Sequence, residues 1–238
     1  MVDPARVFVA SAMPTDYPYK LQKPSTVSDR VRDTADCFIM DSGIGDDVSN
    51  SEVIELAITH DADYVVGKDF LHEHDRTTES VLEFLNLLDD SECDATPLIP
   101  LQPPYHRHYK QLEGFDHYVL GGMVVDDVTL QEKINWIKEF RQVEPDAYVH
   151  ALGVGGGIRF VRQIAGRGLV DSVDCSTPER AAMFGCVLDD ELRQNECRVW
   201  NGDGASKRNI PLAEFNSWQI ADVWERESES EHTQTTLC

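Results

Sequence analysis

The sequence predicts a single-domain (β/α)8 barrel, and three observations lead to this fold class. The chain has 238 residues, a length that one α/β barrel commonly fills. Eight short apolar runs alternate with eight amphipathic stretches, which is the element count of such a barrel. Each short run is continuously apolar, as expected for strands covered on both faces. A doubly wound open sheet is the alternative that the same alternation allows.

The predicted elements follow from the apolar periodicity. The predicted strands are residues 6–12, 37–43, 63–68, 97–101, 117–122, 148–153, 171–175 and 197–200. The predicted helices lie near residues 25–35, 49–60, 76–90, 105–113, 127–143, 157–167, 178–194 and 211–225. Ser49 or Asn50 can cap the second helix, and Pro178 fits the first turn of the seventh. The barrel is thus expected to span residues 1–225, and the polar residues 226–238 to form a disordered tail.

The composition limits which binding partners and which cellular compartment are expected for this protein. With 43 acidic and 21 basic residues, the net charge is −22, which predicts an acidic, solvated surface suited to high salt. Such a surface repels polyanions, so binding of nucleic acid requires a local basic patch or high ionic strength. The six cysteines have no CxxC or paired spacing, and no secretory signal is recognisable, which predicts reduced thiols in a cytoplasmic protein without a metal site. No apolar run approaches the roughly 20 residues of a membrane span.

Polar and glycine residues follow six consecutive predicted strands at their carboxyl ends. The active site of a (β/α)8 barrel lies at this end of the strands, so these residues are expected to meet at one mouth. They are Asp41, Asp69, Gln102, Gly121 with Gly122, the glycine-rich run 153–157, and Asp174. Each one taken alone is also compatible with a turn, a helix cap or loop backbone.

This set of side chains suits the chemistry of a nucleobase. Asp69 offers an acceptor and Gln102 a mixed donor and acceptor, which match the amide and amino edge of a purine. One carboxylate could attack a glycosidic carbon while another handles protons. Strand alternation places Ser172 on the same face as Asp174 and Asp171 on the opposite face. Asp174 is therefore the candidate nucleophile, and Asp171 is expected at the strand entrance.

Six segments resemble, in order, motifs of the tRNA-guanine transglycosylases and of their relatives that act on DNA. The similarity covers roughly residues 36–212. The segments are "MDSGIGDD" with Asp41, "ADYVVGKDFLHEHDRT" with Asp69, "PLQPP" with Gln102, "FDHYVLGGMVVDD" with Gly121 and Gly122, "HALGVG" with His150, Leu152 and Gly153, and "GLVDSVDCSTPERAAMFG" with Asp174.

The resemblance implies a base exchange without a cofactor, catalysed by a glycosyltransferase of the pentosyltransferase type. Asp174 would attack C1′ of a guanosine nucleotide and expel guanine, leaving a covalent glycosyl-enzyme. A free 7-deazaguanine would then attack the same carbon, with Asp41 as proton acceptor. The remaining matched residues would bind the base, with His150 and Leu152 in the sandwiching positions; they are Asp69, Gln102, Gly121, Gly122, His150, Leu152 and Gly153.

The sequence also departs from the family pattern. Ile44 and Gly45 stand where the family has a second glycine and a stacking aromatic residue. Glu179 replaces a threonine, whereas the following Arg180 is retained. The clustered cysteines and histidine of the family's zinc motif are missing, as is the RNA-binding C-terminal domain of its archaeal tRNA enzymes. These departures favour a short DNA-modifying relative over a tRNA enzyme.

Few basic residues are available for a polynucleotide. Arg180, Lys207 and Arg208 are the expected nucleic-acid contacts, and a homodimer or a partner subunit is expected from the resemblance. Other candidates for backbone contacts are Arg107, His108, Lys110, Arg159 and Arg162. Two further hypotheses remain: a non-catalytic homologue that binds nucleic acid or a catalytic partner, and an unrelated barrel hydrolase acting on a small glycoside or nucleoside.

Overall fold

The fold is a closed barrel of eight parallel strands, which confirms the predicted (β/α)8 class. A computed structural model describes residues 6–43, 45–123, 128–196 and 209–235, with side chains of the last helix through residue 229. Neighbouring strands pair in chain order, and the last pairs with the first. The strands are β1 (Arg6–Ala10), β2 (Tyr19–Gln22), β3 (Cys37–Met40), β4 (Tyr64–Val66), β5 (Thr96–Leu101), β6 (His117–Leu120), β7 (Tyr148–Ala151) and β8 (Ser172–Cys175).

Helices surround the barrel. Ser49 caps α2, accepting from the N–H of Glu52, and the Glu52 carboxylate accepts from the N–H of Ser49 in return. Pro178 lies in the first turn of α7, as predicted. The helices are α1 (Asp29–Arg32), α2 (Asn50–Thr59), α3 (His74–Asp89), α4 (Tyr105–His108), α5 (Leu130–Val143), α6 (Ile158–Ile164), α7 (Thr177–Met183) and α8 (Ile210–Thr235).

The sequence does not predict strand β2, because apolar and polar residues alternate in "YKLQ". A strand covered on both faces is expected to be continuously apolar. Lys20 and Gln22 are both fully buried on the outer side of the strand. The Lys20 ammonium donates to Thr15 O, and Gln22 Nε2 donates to the carbonyl oxygens of Ser11 at 2.9 Å and Thr26 at 2.8 Å. Hydrogen bonds thus stabilise the outer face of β2, where an apolar side chain packed against a helix is expected. The predicted eighth strand, 197–200, lies outside the described residues.

The predicted helix 178–194 is wrong beyond Met183. Gly185 takes a left-handed conformation with φ of +68°, and an antiparallel hairpin follows, formed by β9 (Cys186–Leu188) and β10 (Gln194–Glu196). Asn216 of α8 holds this hairpin, accepting from the N–H of Leu188 at 2.9 Å and donating to the carbonyl of Cys186 at 3.0 Å. A contact so distant in sequence leaves no local signal.

Residues 226–235 of the predicted disordered tail instead continue α8, which ends at Thr235, and residues 236–238 lie outside the described part of the chain. Trp224 is fully buried and donates its indole N–H to Gly155 O at 2.9 Å. Ser228 is buried one turn later, and Glu227 accepts from Arg162. This tertiary packing orders a segment whose composition alone predicts disorder.

A compact apolar cluster lies inside the barrel. Its members are Phe8, Leu21, Ile39, Val66, Leu98 and Val119. Burial of each such side chain contributes about 1.5–3 kcal/mol to folding. This cluster lies beneath the carboxyl ends of the strands and gives the mouth a rigid floor. Among the described residues, no helix combines the length and the apolarity required to cross a membrane.

Candidate active site

The candidate active site is the mouth at the carboxyl ends of the strands. Asp41, Asp69, Gln102 and Gly121 directly or closely follow β3, β4, β5 and β6, and Asp174 lies within β8. The structure brings these groups together as predicted: Asp69 and Asp174 are both near enough to repel a charge on Asp41, and Gln102 contacts Asp69.

Asp174 is a nearly buried carboxylate, 6% exposed, held by two donors. Its Oδ1 accepts the backbone N–H of Gly153 at 2.7 Å and lies 3.3 Å from His150 Nε2. Gly153 has φ of +73°, a left-handed conformation that favours glycine and that aims its N–H at the carboxylate. Gly153 therefore orients the candidate nucleophile. Asp171 instead pairs with Arg141 at 2.6 Å and accepts from the N–H of Val149 at the strand entrance.

His150 does not occupy a base-sandwiching position, which corrects the role implied by the resemblance. The side chain is fully buried inside the barrel, with its ring edge against Phe8 at a centroid distance of 5.7 Å. Its Nδ1 lies 2.7 Å from Ser172 Oγ, and its other nitrogen faces Asp174. Alternation along "YVHA" places His150 inward, a signal that could have revealed this position from the sequence. Leu152, half-buried above the barrel interior, remains available to a base.

Asp69 and Gln102 form one continuous polar edge. Gln102 is fully buried; its Nε2 donates to Asp69 Oδ2, and its Oε1 accepts the N–H of His72 at 3.2 Å. These two bonds set which end of the carboxamide donates. A Cβ atom on Gly121 would lie 2.6 Å from Gln102 Nε2 and 2.8 Å from Asp69 Oδ2. Gly122, with φ of +70°, would meet Pro103 at 2.9 Å, so this edge requires two glycines.

Two carboxyl groups of the mouth titrate near neutrality. Burial, together with repulsion from Asp69 and Asp174, raises the pKa of Asp41 to about 7. Burial raises the pKa of Asp69 to about 6, although the Gln102 hydrogen bond opposes that shift. A carboxyl group with a pKa near the working pH can both release and accept a proton. Asp41 is thus chemically suited to the proton transfer predicted for it.

Two histidines support the backbone of the segment that carries Gln102: His74, which the sequence analysis does not single out, and His108, which it expects at a polynucleotide backbone. His108 is fully buried, and its Nδ1 accepts the backbone N–H of Gln102 at 2.9 Å. Its ring stacks on that of His74 at 4.6 Å, and His74 Nε2 lies 3.0 Å from Pro103 O. Burial and repulsion by His74 lower the pKa of His108 to about 4, so the imidazole is neutral. His108 is therefore not the cation expected at a polynucleotide backbone.

Glu179, which stands where the motif that the segment resembles has a threonine, is a structural carboxylate. It is 7% exposed and accepts the backbone N–H groups of Ala12 and Met13, each at 2.9 Å, together with the hydroxyl of Ser11. Burial raises the pKa of Glu179, while these donors and Lys20 oppose the shift. Its role is to hold the loop between β1 and β2 beside the mouth.

The predicted nucleic-acid contacts are only partly described. Arg180 is exposed on α7, the helix that follows the Asp174 strand. Arg107, Lys110 and Arg159 are exposed as well, whereas Arg162 pairs with Glu191 at 2.6 Å and with Glu227 at 3.4 Å. Lys207, Arg208 and Ile44 lie outside the described residues.

A cleft of about 350 Å³ opens beside Asp69, within the size range of small-molecule sites. Its lining includes Gly43, Lys68 and Phe70. Among the described residues, no group of three or more His, Cys, Asp and Glu side chains could hold a metal ion. No model of a known protein family matches the chain, and a search among curated proteins found no match.

Proposed function

We propose that this protein is a guanine transglycosylase, which replaces a guanine in a polynucleotide with a 7-deazaguanine base in the cytoplasm. DNA is favoured over tRNA as the polynucleotide. The observation that carries the proposal is the convergence on one mouth of an oriented carboxylate, Asp174, a second carboxyl group with a pKa near 7, Asp41, and a polar edge formed by Asp69 and Gln102.

In the first half of the reaction, Asp174 acts as the nucleophile. Within the described residues both hydrogen bonds to this carboxylate reach Oδ1, so Oδ2 is the oxygen available for attack. A bond forms between Oδ2 and C1′ of the nucleotide, the bond from C1′ to N9 breaks, and the electron pair leaves with guanine. The departing base takes a proton, and the protonated Asp41 carboxyl group is the suitable donor.

The second half reverses these steps with a different base. N9 of the 7-deazaguanine attacks C1′, the ester bond to Asp174 breaks, and the proton on N9 passes to Asp41. Each catalytic group regains its starting state, so the exchange consumes no cofactor. A pKa of about 7 lets Asp41 serve in both directions at neutral pH.

Base recognition follows from the polar edge. The Asp69 carboxylate can accept from the N1–H and amino groups of a guanine, and Gln102, fully buried behind it, orients that carboxylate through its Nε2 hydrogen bond. A 7-deazaguanine carries the same groups on this edge, so both bases of the exchange fit one site. Glycine at position 121 lets Gln102 and Asp69 lie against the end of β6, where a Cβ atom would displace both side chains.

The test is exchange of labelled guanine out of DNA and out of tRNA in the presence of a 7-deazaguanine base, across a series of salt concentrations. The native chain is expected to exchange and to form an adduct stable to denaturing electrophoresis, both lost in Asp174→Asn. Asp222→Asn changes an exposed carboxylate on α8 and serves as the control. Unaltered exchange by Asp174→Asn would overturn the nucleophile assignment. Binding without any adduct would favour a non-catalytic homologue, and turnover of a free nucleoside would favour a hydrolase.

A further inference from the structure

Four polar side chains form a row inside the barrel between β7 and β8. The hydroxyl of Tyr148 lies 2.7 Å from Ser172 Oγ, and Ser172 Oγ lies 2.7 Å from His150 Nδ1. His150 Nε2 completes the row at 3.3 Å from Asp174 Oδ1. Register explains the row, because His150 and Ser172 are paired across the two strands and alternation turns all four residues inward.

The distances in the row fit an assignment of proton positions in which the His150 ring is neutral. The Asp174 carboxylate only accepts hydrogen bonds, so Nε2 of His150 carries the proton and donates. Nδ1 of the neutral ring then accepts from the Ser172 hydroxyl, and Ser172 Oγ accepts from Tyr148. Burial raises the pKa of the Tyr148 phenol, so this residue retains its proton and remains a donor. With this arrangement each buried donor has an acceptor.

We infer that His150, Ser172 and Tyr148 form a positioning relay for the nucleophile. The relay holds His150 as the neutral tautomer protonated on Nε2, and this ring, with the N–H of Gly153, fixes Oδ1 of Asp174 so that Oδ2 faces the mouth. The same logic of a base oriented by a third group operates in catalytic triads. The effect on turnover rests on the proposed function, whereas the tautomer and the contact with Asp174 do not.

Three substitutions of His150 separate positioning from packing. His150→Gln can place an amide N–H near the position of Nε2, His150→Asn places its amide near Nδ1, and His150→Phe removes both polar groups while filling similar volume. Loss of one oriented donor typically lowers turnover by about 10²-fold. His150→Phe and His150→Asn are expected to lose about that factor in kcat with KM for the polynucleotide unchanged, and His150→Gln to recover most of it. Thermal melting of each variant reports whether the barrel is intact.

NMR spectroscopy tests the relay without a measurement of enzymatic activity. Nitrogen-15 chemical shifts of histidine distinguish the two neutral tautomers and the cation, and the His150 signal is identified by its loss in His150→Gln. The native protein is expected to show the tautomer protonated on Nε2 at neutral pH, and Ser172→Ala to shift the ring towards the other tautomer. A cation or the opposite tautomer in the native protein would overturn the inference, as would native kcat in a folded His150→Phe. If the native chain exchanges no guanine, the proposed function fails, and the chemical shifts alone decide the relay.

Discussion

The backbone N–H of Gln102 donates to Nδ1 of His108 at 2.9 Å, so a buried imidazole behind the mouth holds the strand end that carries the carboxamide. A backbone donor at Nδ1 is compatible only with an unprotonated nitrogen. The orientation of Gln102, and with it the polar edge shared with Asp69, therefore depends on a neutral His108.

His108 is expected to make the protein sensitive to acid. Its pKa in the folded state is about 4, below the ordinary value of 6.5, so unfolding takes up a proton between these two values. The stabilisation is fully present above pH 6.5 and is lost as the pH falls towards 4. His108→Asn retains an acceptor near the Nδ1 position and cannot be protonated. Melting temperatures between pH 4 and 8 should fall less steeply for this variant than for the native chain.

The control for that measurement is His72→Asn. His72 is exposed and has φ of +61°, a conformation that asparagine adopts readily. This variant should retain the acid sensitivity of the native protein. An equal pH dependence in His108→Asn and in the native chain would show that His108 is not the source.

Replacement of Asp41 by Asn is expected to stabilise the folded chain. Because the pKa of Asp41 is raised to about 7, unfolding releases the proton that the folded state retains. The destabilisation of the native chain by Asp41 is absent below the unfolded pKa of about 4. It grows as the pH rises to 7 and is constant above that pH. Asp41→Asn should therefore raise the free energy of unfolding at pH 7 by at least about 1 kcal/mol, or about 2–4 °C in Tm. Exchange activity should be lost.

Asp47→Asn, at an exposed position in the same loop, is the matched control and should change Tm little at any pH. If Asp41→Asn increased the free energy of unfolding as much at pH 4 as at pH 7, the raised pKa of Asp41 would be contradicted.

Gly121→Ala is expected to remove base binding while leaving the barrel folded. The added Cβ would meet Gln102 Nε2 at 2.6 Å and Asp69 Oδ2 at 2.8 Å, so the polar edge must move. Displacement of these polar groups lowers the affinity of the site for a base by at least about 10-fold, because buried donors lose their partners. Calorimetric titration with guanine measures the change. At Gly157 an added Cβ would meet nothing closer than 3.8 Å, so Gly157→Ala should bind as the native chain does.

Glu179→Ala is expected to destabilise the loop between β1 and β2. The substitution leaves the N–H of Ala12 without an acceptor and removes the carboxylate from the Met13 N–H and the Ser11 hydroxyl, which retain only their contacts with each other, at a cost of about 1–3 kcal/mol. Urea unfolding measures the loss, and Glu225→Ala, at an exposed position on α8, should change stability little. A loss below about 0.5 kcal/mol for Glu179→Ala would mean that water replaces the carboxylate.

The sequence by itself determined the fold class and most of the mouth. Both rest on short-range rules: continuous apolar runs predict covered strands, and the carboxyl ends of parallel strands lie on one side of a barrel. The positions of Asp41, Asp69, Gln102 and Asp174 at the strand ends therefore predict by themselves that these residues lie at one mouth, where the structure places them. Strand alternation also assigned Asp171 correctly to the strand entrance, where it pairs with Arg141.

Only the tertiary structure decided which groups support these residues. Lys20 and Gln22 are buried in a strand because distant carbonyl groups accept their hydrogen bonds, and the hairpin after α7 exists because Asn216 holds it. His108 is a neutral support rather than a cation because burial and the neighbouring His74 lower the pKa of its imidazole, and His150 supports Asp174 rather than contacting a base because strand alternation turns it into the barrel. Such contacts join residues far apart in the chain, and no local pattern of residue types records them.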